Sequence, residues 1–284
     1  MPQFDLTVTQ NRWNELQPYV ESVIARWAGA FPSRYSGASR QAHALLSVAL
    51  AQQTRTLLNR TGHALNYNWG QFSGSHLDLL NWVISDQHAG LFAQYPGSPA
   101  FYAEFANEYV AYSQNALENI FASLLSVDNN GTTFVEPFSL LGEWENDSLI
   151  GEFNRLDAEF GAIMDYEYSA FSYGYSHQNM VLVALTEQVR YMLSTVGAAV
   201  NYLYNHDWRN GSFINEIMET SDRANMIAQV AGPEFADVMG SYGVCEKAAL
   251  EFACGYAASM LPIIGKLLGE IQGLRPAFFP GSGY

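Results

Sequence analysis

A chain of 284 residues, 49% of them apolar, can bury roughly 75% of its unfolded surface, so its core needs no disulfide or metal to hold it. Charged residues make up only 14%, against about 25% in soluble domains, and the 13 bases are eleven Arg with only Lys247 and Lys266, a balance that protein interfaces favour. The net charge of −15 excludes tight nucleic-acid binding by the body of the chain, which would need a basic stripe.

That charge is laid out unevenly. Residues 1–60 hold six Arg against Asp5, Glu15 and Glu21, for +3; residues 61–189 hold sixteen acids against Arg155, for −15; the remaining nine acids and six bases give −3. A basic head and an acidic middle could pair between neighbouring copies, and the middle could equally be a solvated face. Arg12, Arg26, Arg34, Arg40, Arg55 and Arg60 are the candidates for a modest contact with nucleic acid or an acidic partner.

Met1–Gln10 has neither the basic start nor the apolar run of a signal peptide and reads as a short arm. The expected location is the cytoplasm or the inside of a virion, and the triplets at Asn59, Asn130, Asn146 and Asn210 are read as accidental. Apolar residues then recur at three and four nearly everywhere, which predicts an all-α fold, a single domain of roughly eight to ten helices with at most one short strand pair. Trp13, Leu16, Val20, Val23, Ile24 and Trp27 mark a helix over 11–31, and Leu45, Leu46, Leu50, Leu57, Leu58 and Leu65 one over 39–66. Ser75 is a good N-cap for a short helix ending near Asp86.

Residues 87–97 read as loop. Ser98 and Pro99 open a long helix in cap-then-proline order, which stops at the turn sequence Asp128–Gly131. The run 132–136, TTFVE, is the one place for a strand. Helices follow over about 147–168, 177–204, 213–230 and 244–272, with a short piece from Pro233. Those at 177–204 and 244–272 are apolar on most of their circumference and are expected at the centre; Pro262 is expected to kink the latter. Its longest uncharged hydrophobic run, Phe252–Gly265, is too short to span a bilayer. Leu274–Tyr284 is expected as an extended tail.

Asp165–Ser176, DYEYSAFSYGYS, carries Tyr166, Tyr168, Phe171, Tyr173 and Tyr175. Met164, Tyr168, Phe171 and Tyr175 share a helical stripe, while Tyr166 and Tyr173 point elsewhere, so the rings need several partners. Internal packing, a subunit interface and a ligand site are all open. The same residues, with Phe278, Phe279 and Tyr284 of the tail, are the interface candidates, because aromatic rings are enriched at interfaces.

Catalytic and metal signatures fail one by one. HExxH and CxxC are absent, no histidine has an acid three residues before it, and Cys245 and Cys254 read as small buried hydrophobes. Leu267 stands where a P-loop requires Ser or Thr, and neither GxGxxG nor GxSxG occurs. Glu104 and Glu108 share a helix face but, with no matching histidine, read as a wet face. No catalytic residue, metal or cofactor is assigned.

The function expected from these features is a non-enzymatic, self-assembling structural protein, most concretely a viral coat subunit whose partner is itself. The alternatives are a helical enzyme or small-molecule carrier with an aromatic pocket served by His177 or His206, and an internal virion protein that accompanies a phage genome.

Overall fold

Ser75 shows how the helices begin. Its hydroxyl accepts the backbone N–H of Asp78 at 3.3 Å, while the Asp78 carboxylate accepts the Ser75 N–H at 2.6 Å, so two donors orphaned at a helix start satisfy each other's residues. The computed structural model describes residues 6–70, 74–84, 97–129, 143–170, 176–205, 216–235 and 243–278. Among them lie eight α-helices and no strand. They are α1 (Leu6–Gly29), α2 (Ala38–Asn68), α3 (His76–Val83), α4 (Pro99–Asn129), α5 (Glu143–Ala170), α6 (His177–Asn205), α7 (Glu216–Ala231) and α8 (Glu246–Phe278), with single 3-10 turns at Arg34–Ser36 and Pro233–Phe235. The candidate strand 132–136 lies outside the described residues.

The all-α expectation holds, and α6 and α8 do pack against each other in the interior. A third central helix, α2, was not foreseen. It is buried without a break from Gln41 to Ala51 and touches α1, α3, α4, α7 and α8. Its polar residues and many alanines dilute any apolar stripe, yet Ala42, Ala44, Ser47, Ala49 and Ala51 are small enough to let neighbours close on every side. Gly62 serves the same purpose on the α1 side, where a Cβ would stand 3.0 Å from the Trp13 ring and the Trp13 indole donates to the Leu58 carbonyl at 2.7 Å.

Both chain ends are more helical than expected. α1 starts at Leu6, inside the supposed arm, because Thr9 is buried and reaches Gln114 of α4 at 3.4 Å. α8 runs to Phe278, past the expected start of the tail at Leu274, which packs against the core. Pro18 in α1 and Pro262 in α8 are exposed, so each falls on a helix face where the carbonyl it leaves unpaired is open to hydration. By length and composition α8 could cross a membrane, but 67% of its most apolar stretch is buried in the fold, which accounts for its hydropathy.

Candidate functional site

His177 is the first residue of α6, and the preceding Ser176 caps that helix by accepting the Asn179 N–H at 3.2 Å. The imidazole projects onto the start of α4. Its Nδ1 lies 3.3 Å from Glu104 Oε2 and its Nε2 lies 3.4 Å from Glu108 Oε1, with the edge of Phe101 against it at a centroid distance of 5.9 Å. Glu104 is largely exposed, whereas the Glu108 side chain keeps only 18% of its surface. Its Oε2 is buried with no hydrogen-bond partner among the described residues.

This surrounding sets the acidity of Glu108. Burial disfavours the charged form and raises its carboxyl above the ordinary value of 4.5; the nearby His177 pulls it down, and the Glu104 charge pushes it up. One turn further, the Tyr112 hydroxyl is raised by burial and by the Glu108 charge. The 3.4 Å contact sets a half-buried carboxyl beside an imidazole, the residue types that acid–base chemistry uses. The two ring nitrogens face different carboxylates and diverge, so the three groups do not converge on one point. Among the described residues no group of three or more His, Cys, Asp and Glu is arranged to hold a metal ion.

The reading of Glu104 and Glu108 as a wet face is therefore corrected for Glu108. Its histidine comes from another helix, a pairing that spacing along α4 could not reveal. His206, the other candidate, lies outside the described residues.

The arginines of the head are largely committed within the chain. Arg12 forks onto Glu118, and Arg26 forks onto Asp128 at 2.9 and 3.2 Å. The Tyr19 hydroxyl also donates to Asp128, at 2.6 Å; burial, reinforced by that carboxylate, pushes this hydroxyl up to about 12. Arg55 stands 3.7 Å from Glu21, and the Arg60 guanidinium lies over the Tyr191 ring at 5.8 Å. Arg40 is exposed, and Arg34 opens the first 3-10 turn. Glu118 and Asp128 belong to the acidic middle, so the head-to-middle attraction legible in the sequence is met inside one copy.

Of the interface candidates, Tyr166 and Tyr168 fall in the last turns of α5 and Phe278 ends α8, but their side chains are not described. Phe171, Tyr173, Tyr175, Phe279 and Tyr284 lie outside the described residues. The sequence did not single out the rings that stand exposed on the described surface: Tyr35 at 83%, Tyr204 at 61%, Trp82 at 57% and Tyr191 at 40%. Trp82 stacks on His63 with centroids 4.4 Å apart and is still 57% exposed.

No protein-family model matches this chain, and neither a curated protein nor a solved structure matches it significantly.

Proposed function

We propose that the chain is a non-enzymatic structural subunit that assembles with copies of itself, most concretely as a viral coat protein. The observation that carries this reading is the exposure of Tyr35, Tyr204 and Trp82, all more than half open to solvent, on a chain with only 14% charged residues. Large rings supply contact area at little cost in side-chain entropy and are the residues on which interfaces concentrate their energy. The scarcity of Lys points the same way. With Arg12 and Arg26 engaged by carboxylates, any genome would be held loosely, through Arg40 and whatever arginines assembly frees.

A second reading has its own support. The buried Oε2 of Glu108 beside His177, without a hydrogen-bond partner among the described residues, favours a helical enzyme or ligand carrier working by proton transfer at the junction of α4 and α6.

Substitution of Tyr35, Trp82 and Tyr204 by Ser separates the two. Sedimentation velocity should show the wild-type oligomer shifting toward the monomer in the triple variant, with its circular dichroism unchanged. An undisturbed oligomer would remove these rings from the interface, and a wild type that stays monomeric at all concentrations would remove the proposal.

A further inference from the structure

Polar side chains join α2 to α6 across the core. At the inner end Gln53 donates to Thr195 at 3.2 Å, and the Thr195 and Tyr256 hydroxyls lie 2.8 Å apart. About two turns further along each helix stand Arg60 of α2 and Gln188 of α6, with Tyr109 of α4 beside them. The Tyr109 hydroxyl donates to Gln188 Oε1 at 3.1 Å, and the Arg60 guanidinium stands over the Tyr191 ring at 5.8 Å. Gln188 and Tyr191 are three residues apart and share a face of α6. The Arg60 charge also reaches Tyr109: burial pushes that hydroxyl up to about 12, and Arg60 draws it back. Arg60 and Gln188 therefore flank one buried hydroxyl.

Two donors at this point lack an acceptor. Arg60 Nη1 and Gln188 Nε2 are both buried, and neither has a hydrogen-bond partner among the described residues. Arg12, Arg55 and Arg190 are half-buried too, but each has a carboxylate beside it, at 2.8, 3.7 and 2.8 Å; Arg60 has none among the described residues. A buried donor that makes no hydrogen bond is costly and calls for an acceptor. Both nitrogens only donate, and the Arg60 charge favours an anion. A carboxylate offers one oxygen to the guanidinium N–H and the other to the amide N–H. Its single negative charge matches the single positive one, whereas the second charge of a phosphate would be repelled by a chain of net −15. The site starts at the surface, where Tyr191 is 40% exposed, and ends at Gln188, 2% exposed, a depth that suits a short acid.

We propose that Arg60 and Gln188 bind the carboxylate of a small monocarboxylic acid at the seam between α2 and α6, with Tyr191 as the outer wall. Such a site is independent of whether copies of the chain assemble with one another.

Acetate is the probe, added to the full chain at constant ionic strength against chloride. Saturation-transfer NMR should show its methyl signal attenuated by the wild type, and acetate should raise the wild-type Tm. Arg60→Gln should weaken acetate binding by about ten-fold or more. Gln188→Glu keeps the acceptor for Tyr109 and places a carboxylate beside Arg60 within the chain. It should raise Tm without acetate and abolish the acetate response, and it decides the question even where Arg60→Gln does not fold. An acetate response that survives Gln188→Glu overturns the proposal. So does a wild type that ignores acetate, which would leave a bridging water as the acceptor. Tighter binding of inorganic phosphate than of acetate would make this a phosphate site instead.

Discussion

The Arg12 guanidinium holds the Glu118 carboxylate at two points, Nε 2.8 Å from Oε1 and Nη2 2.9 Å from Oε2. The pair ties the start of α1 to the middle of α4, and Glu15 adds a contact at 3.2 Å. Hydrogen bonding to Glu118 raises the already high Arg12 pKa further, so the charge is permanent. Both side chains keep about a third of their surface, 37% and 35%, which means water screens the attraction. Planar two-point geometry places it at the upper end of what surface pairs contribute.

Glu118→Gln is therefore expected to cost about 0.5–1 kcal/mol, or roughly 2 °C in Tm. Urea unfolding in low and in molar salt reads the difference, which should shrink as salt screens the pair. An equal loss in both would mean that Glu118 acts by packing.

At Glu108 burial outweighs the His177 contact, so the folded carboxyl titrates above 4.5. Between 4.5 and that raised value the native state binds more protons than the unfolded one, and this group's contribution to stability falls as pH rises through the window. Glu108→Gln keeps the shape and removes the charge; its stability profile above pH 4.5 should be flatter than that of the wild type. His177→Phe removes what holds the value down and should move the Glu108 titration, followed by carbon-13 NMR, to still higher pH. A native Glu108 that titrates at or below 4.5 contradicts the geometry.

Two glycine substitutions should have opposite signs. An alanine in place of a helix-interior glycine gains about 0.5–1 kcal/mol from the backbone. At Gly161 in α5 nothing lies within 4 Å of the new Cβ, so Gly161→Ala should be stabilising by that amount. At Gly62 the Cβ meets three atoms of the Trp13 ring at 3.0–3.1 Å, and the indole cannot retreat without stretching its bond to the Leu58 carbonyl. Overpacking costs about 1–3 kcal/mol, which exceeds the backbone gain, so Gly62→Ala should lower Tm.

Thr195 is the hub of a polar cluster in the core. Its hydroxyl donates to the Met192 carbonyl at 2.9 Å, which uses its only proton. It accepts from Gln53 Nε2 at 3.2 Å, and Tyr256, 2.8 Å away, must therefore be a donor. Thr195→Val would leave both buried donors without this acceptor and should cost about 2–4 kcal/mol, whereas Tyr256→Phe removes one bond and should cost about 1 kcal/mol. In the double variant the two losses should add to less than their sum; strict additivity would show that they do not interact.

Local rules made much of the fold legible. The Ser75 cap, the Ser98–Pro99 start and the apolar stripes of α1 and α4 are encoded within a few residues of one another, and the helices begin and end close to where those rules place them. The depth of α2 was not legible, because an alanine-rich helix with buried Gln41, Gln53 and Thr54 owes its burial to what surrounds it. The partners of Glu118, Asp128 and Glu108 were not legible either. Each lies on another helix, and charge counted along the chain shows that attraction exists without showing whether it acts within one copy or between two. The donors of Arg60 and Gln188 escaped notice for a related reason: they form a set only when α2 and α6 are laid side by side.

The central claim is that this chain assembles with itself, and the most direct measurement is the mass of the purified particle by light scattering, with the ratio of absorbance at 260 and 280 nm taken on the same peak. Assembly predicts a species many times the 31.5 kDa of one chain, and a raised ratio would add that nucleic acid is enclosed. A monomer that persists across salt, pH and concentration would contradict the claim and leave the acid–base pair of Glu108 and His177 as the feature to pursue.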